Sequence, residues 1–124
     1  MPYVVKQLSR DIVEAAYKGV ISEAEAAEAT SECVQLQRQL SIFKFLVVMA
    51  DDAEVDIRPE RAREVSGKGY KRLELRRSTR IAVIRPNSET ARRFAEAYEE
   101  TCRKQGWKVR VLPDRQSALQ WLDE

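Results

Sequence analysis

The densest group of side chains capable of chemistry is Asp51, Asp52, Glu54 and Asp56. Carboxylates crowded in this way can hold a hard cation through oxygen ligands, or divide into a general acid and a general base. The spacing lacks the central glycine and distal glutamate of an EF-hand loop. Nothing else in the chain supplies a groove for a sugar, which a carboxylate-pair hydrolase would need. A solvated acidic loop is the simpler reading, and no metal is assigned. Histidine is absent altogether, which excludes Ser-His and Cys-His nucleophile pairs, imidazole-ligated zinc and a histidine pH switch. Cys33 and Cys102 are the only cysteines and form no CxxC pair. A disulfide framework or metal knuckle is therefore not expected, and each reads as a small buried helix residue. Gly67, Lys68 and Gly69 do not make a phosphate loop, because no leading glycine stands at the required spacing and no Ser or Thr follows the lysine. No cofactor and no catalytic residue is assigned.

Charge is segregated along the chain. The totals are 22 basic and 20 acidic residues, a net charge of +2. Yet the segment 58–80 holds nine basic residues against three acidic ones, and the segment 11–32 holds six acidic residues against Lys18 alone. Lys68, Lys71, Arg72, Arg76, Arg77 and Arg80 could grip phosphates. Tyr70 is the only aromatic among them, so a platform for stacking bases is missing and nucleic acid is not the expected partner. A solvated face, or a contact for a protein or an acidic ligand, accounts for the run.

The elements that must position these residues follow from hydrophobic spacing. Tyr3 to Leu8 and Asp11 to Tyr17 read as two strands of an antiparallel hairpin around Ser9 and Arg10, with a bend at Lys18 to Ile21. Ser22 and Glu25 form a capping box for a helix reaching about Leu40, with Ala26, Ala29, Cys33, Leu36 and Leu40 as its apolar stripe. Phe43 to Ala50 is a nearly continuous apolar run, the mark of a buried central strand. The acidic loop follows. Pro59 then opens a second helix, which Gly67 and Gly69 weaken, with Ala62, Val65 and Tyr70 on its buried side. Arg80 to Arg85 reads as another inner strand, parallel to and beside the first. Asn87 or Ser88 caps a third helix that stops at Gly106 and carries Ala91, Phe94, Ala95, Tyr98 and Cys102 as its stripe. Trp107 to Leu112 alternates as a last strand, and Ser117 to Leu122 closes as a short helix.

At 124 residues, 44% hydrophobic and 34% charged, the chain fits one globular domain spanning 1–124. No stretch approaches the roughly 20 apolar residues of a membrane span. The start, MPYVVKQLSR, lacks the basic lead and apolar core of a signal peptide. A cytoplasmic location is expected. Strand and helix alternate after the opening hairpin, which favours parallel pairing with right-handed crossovers.

Four features coincide: GVIS at the end of the hairpin, FKFLVVMADD, RIAVIRPNSE, and the closing WKVRVLPDRQSALQWL. In the last, Asp114, Ala118, Leu119, Trp121 and Leu122 fit a D-x-x-x-A-L-x-W-L pattern. Together they resemble the SpoIIAA-like family of the STAS fold, small bacterial domains also grouped with lipid-transfer folds. The resemblance implies an α/β single domain with a mixed sheet of four to five strands, helices mainly on one face, and no catalytic set. The anti-sigma factor antagonists among its relatives carry a phosphorylatable serine after the third strand, at the start of the next helix. Residues 51–57 hold no serine or threonine, so that switch does not carry over, and Ser66, further along, is assigned no role.

The function these readings imply is a non-enzymatic regulatory or protein-interaction domain. The resemblance makes the corner formed by Asp51, Asp52, Glu54, Asp56, Arg58 and Arg61 the partner-facing surface. The alternative is a carrier or sensor of a small apolar or amphipathic, lipid-like ligand held in a pocket between the first two helices. Phe94, Tyr98 and Trp121 read as core, and the sequence does not separate a filled core from such a pocket. It names no oligomeric state.

Overall fold

The computed structural model describes residues 2–124. β1 (Tyr3–Ser9) and β2 (Ile12–Tyr17) form the expected antiparallel hairpin. β3 (Val20–Ile21) precedes α1 (Glu23–Leu40), β4 (Lys44–Met49) and β5 (Glu54–Val55). α2 (Pro59–Val65), α3 (Lys68–Arg72), β6 (Arg80–Ile84), α4 (Glu89–Lys104), β7 (Lys108–Leu112) and α5 (Arg115–Leu122) complete the chain. The main sheet has the order β1-β2-β4-β6-β7. Only its first pair is antiparallel; β2, β4, β6 and β7 pair in parallel, so β4 and β6 are the neighbouring inner strands that their apolar centres require.

Side chains alternate across the sheet with the period of two that pleating imposes. Val13, Phe45, Ile81, Val83 and Val109 face α1, α3 and α4, and pack with Cys33, Val34 and Trp107. Ile12, Leu46, Ala82 and Leu112 face the other way, beneath Ala118, Leu122 and Trp121 of α5. Leu46 and Ile81 sit on opposite faces and are both fully buried; each such burial is worth roughly 1.5–3 kcal/mol. α1, α3 and α4 thus cover one face, with α2 packed against α4, and α5 covers the other, the arrangement of a mixed α/β sandwich with its helices mainly on one side.

Caps set the helix starts. Ser22 and Glu25 form the reciprocal capping box of α1: the Glu25 N–H donates to Ser22 Oγ at 3.2 Å and the Ser22 N–H donates to Glu25 Oε1 at 2.9 Å. Ser88 Oγ accepts from Ala91 N–H, and Asp114 Oδ1 from Ser117 N–H, at the heads of α4 and α5. Of the expected stripe of α1, Ala29 and Cys33 are buried and Ala26 and Leu36 pack against the core, while Leu40 is exposed; Val34 and Gln37 are buried in addition. Gln37 displaces an aliphatic residue because its amide is fully used. Its Nε2 donates to the Ile42 carbonyl and to Thr79 Oγ1, and its Oε1 accepts from Arg76 N–H. A satisfied buried amide carries no desolvation penalty of the kind an unpaired one would.

Two further differences from the sequence reading shape the site. The bend at Val20 and Ile21, and part of the acidic loop, are two short strands: β3 and β5 pair in parallel as a separate small sheet. The second helix is two helices, α2 and α3, broken at Ser66 and Gly67. Gly67 lies at φ +84°, a left-handed conformation that glycine adopts without a Cβ penalty.

Candidate functional site

The segment 51–56 is anchored through its backbone, which leaves its carboxylates free to face solvent. Glu54 N–H donates to the Gly19 carbonyl at 2.8 Å and Asp56 N–H to the Ile21 carbonyl at 2.9 Å. Val55 N–H reaches Thr90 Oγ1, and Ser88 Oγ donates to the Ala53 carbonyl at 2.7 Å. Ala53 and Val55 are buried with Ile21 and Ala91, so alternate residues point inward. Asp51, Asp52, Glu54 and Asp56 are all exposed. Asp51 accepts a hydrogen bond from the Asn87 side chain and is thereby tied to the approach to α4. Among the described residues no three acidic or thiol groups are arranged to hold a metal ion.

The two arginines differ. Arg58 is exposed and precedes Pro59 at the head of α2. Arg61 lies one turn on and is engaged away from the acidic segment. It donates to Glu23 Oε1 at 2.9 Å and to Glu64 Oε2 at 3.1 Å. The Glu23 carboxylate, and then that of Glu64, hold the guanidinium above its ordinary pKa. Asp51, Asp52, Glu54 and Asp56 are thus exposed along one backbone-anchored segment, and Arg61 stands at the α1–α2 junction, paired with Glu23.

At that junction lies a cleft of about 340 Å³. Ala26, Ala27 and Thr30 of α1 form one wall, residues 65–73 another, and Phe94 and Tyr98 of α4 the back. Phe94 and Tyr98 stack at 6.1 Å with 14° between their planes, and Tyr70 meets Tyr98 edge-on at 6.3 Å. The hydroxyls of Tyr70 and Tyr98 bond to each other. Burial holds both phenols well above their usual pKa, so the back wall is neutral. Ser66 lines the cleft and is 5% exposed, and its Oγ has no hydrogen-bond partner. Sequence reasoning passed over this serine. Its one signal is a small polar residue directly before a glycine inside a helical pattern.

Cys33 and Cys102 are free and buried, with burial pushing both thiols up to about 12. At neutral pH both are therefore thiols and poor nucleophiles. No helix among the described residues is long and apolar enough to cross a membrane.

No family model matches the sequence. No curated protein matches it either. Among solved structures the chain is similar to the anti-sigma factor antagonist SpoIIAA in its unphosphorylated form, with a TM-score of 0.61 and 11% identity over 98% of this chain and 96% of that one. The architecture is that of the STAS fold, a single mixed α/β unit.

Proposed function

We propose that this protein is a non-enzymatic STAS-type regulatory domain of the cytoplasm that acts by binding a protein partner through the corner carrying Asp51, Asp52, Glu54 and Asp56, with Arg58 beside it and Arg61, held by Glu23, one turn further along α2. The observation that carries this reading is that four exposed carboxylates stand on backbone pinned by β3 and by the head of α4. A surface held rigid in this way loses little entropy when a partner docks. The segment has no serine or threonine to phosphorylate, so its negative charge is permanent and needs no kinase. Absence of histidine and the raised thiol pKa values support the non-enzymatic part. Tagged wild type and an Asp52→Ser/Glu54→Gln variant, used side by side to capture partners from the source cell, test the reading. It requires one protein to be retained by the wild type and reduced by the variant; equal retention of every captured protein removes the corner from the interface.

A second reading, that the domain senses a small amphipathic ligand, is favoured by the cleft between α1, α3 and α4. It is compatible with the first, since the cleft and the acidic corner both abut α2 and α4.

A further inference from the structure

We propose that the cleft binds a small aromatic carboxylate, the Ser66 hydroxyl donating to one of its oxygens while Lys68 and Arg72 supply the counter-charge; the inference rests on the ligand-sensing reading. Three independent features of the lining converge on this chemistry.

The first is the orphaned hydroxyl. Among the described residues only Ser66 Oγ and Trp107 Nε1 are buried side-chain polar atoms without a partner. A buried hydroxyl that bonds to nothing is costly, and an alanine at 66 would avoid the cost. Of these two residues Ser66 lines the cleft and Trp107 does not, so a ligand oxygen is a partner the Ser66 hydroxyl lacks in the free protein.

The second is the wall. Phe94, Tyr98 and Tyr70 form a ladder of one stacked and one edge-on contact. Such a ladder accepts another ring by offset or edge-to-face packing. The opposite wall is built from Ala26, Ala27 and Thr30, which are short enough to leave the space open. A volume of about 340 Å³ is at the small end of ligand sites, which run from about 300 to 1,000 Å³. It suits a fused ring rather than a long chain.

The third is charge. Three charged residues line the cleft: Glu23, Lys68 and Arg72. Glu23 is neutralised by Arg61 at 2.9 Å. Lys68 and Arg72 are exposed and form no ion pair among the described residues. The unbalanced charge at the opening is positive, which selects an anion.

The test is an NMR titration of the ¹⁵N-labelled chain with 2-naphthoate, and with 2-naphthylmethylamine as the same ring bearing the opposite charge. Saturable shifts at residues 26–30 and 66–73 are expected with naphthoate and not with the amine. Ser66→Ala is expected to weaken naphthoate by roughly three- to tenfold, the range for one hydrogen bond, without lowering the melting temperature. Lys68→Glu with Arg72→Glu should abolish binding; both side chains are exposed, so the fold is kept. If the amine binds the cleft as tightly as naphthoate, the anion assignment is overturned while a ligand cleft stands. Failure of both probes to shift the cleft residues overturns the assignment and the sensing reading together.

Discussion

Arg61 of α2 and Glu23 in the first turn of α1 meet at 2.9 Å and tie the two helices together beside the cleft. Their side chains are 49% and 43% exposed, so water and salt screen the pair. A double-mutant cycle on Arg61→Ala and Glu23→Gln should give a small coupling in low salt that fades in about 1 M salt. A large coupling that salt does not alter would mean that the pair is buried and the junction closed.

Two glycines with left-handed backbones should respond differently to alanine. Gly19 has φ +66° and open space around its missing Cβ, while Gly67 has φ +84° and would place a Cβ 2.1 Å from Gln105 Oε1. Gln105 Nε2 donates to the Ser66 carbonyl at 3.1 Å, so moving its side chain also breaks the contact that seats the α2–α3 break. Gly19→Ala should cost about 1–2 kcal/mol from backbone strain alone, and Gly67→Ala more. Urea denaturation of both variants checks the order; equal losses would show that Gln105 yields without penalty.

Stability should be flat across neutral pH. Backbone N–H groups of Ser22 and Ser117 hold the capping carboxyls of Glu25 and Asp114 below their ordinary pKa, and the Lys44 ammonium does the same for Asp11. For these lowered groups the stabilisation is complete above the unfolded pKa of about 4 and is lost as pH falls through the folded value. Cys33 and Cys102 behave oppositely: with thiols raised to about 12, their contribution is whole below the unfolded value of about 8.5 and is lost as pH rises toward 12. With no histidine between these limits, the melting temperature of the tag-free protein should stay level from about pH 5.5 to 7.5 and fall on both sides. A step inside that window, seen by circular dichroism, would contradict the assignment.

The main sheet was legible because its strands carry strong patterns. Phe43 to Ala50 and Arg80 to Arg85 have apolar centres long enough to place β4 and β6, and Ser22 with Glu25 marks the head of α1. β3 and β5 were not legible, since two residues have no periodicity, and Glu54 and Val55 stand in a run whose charge reads as loop. In the sequence Gly67 reads as weakening a helix. That it turns the chain by a positive φ, and separates α2 from α3, depends on its docking against Gln105 and Trp107. Phe94 and Tyr98 have the helical spacing of core residues whether or not space remains in front of them. The cleft comes from short side chains on α1, a helix distant in sequence, and this is why pattern alone did not reveal it.

Salt dependence of partner binding tests the role of the acidic corner. Asp52 and Glu54 are exposed and appear in no ion pair or side-chain hydrogen bond among the described residues, unlike Asp51 with its bond from Asn87. Fixed charges at an interface rim act mainly on association rate and its response to ionic strength. The partner's association rate should therefore be measured from low to high salt for wild type and for Asp52→Ser/Glu54→Gln, with melting temperatures recorded alongside. The variant should associate more slowly at low salt, the two should converge at high salt, and the melting temperature should be unchanged. Identical rates across the whole salt range would contradict this role and place the interface elsewhere on the domain.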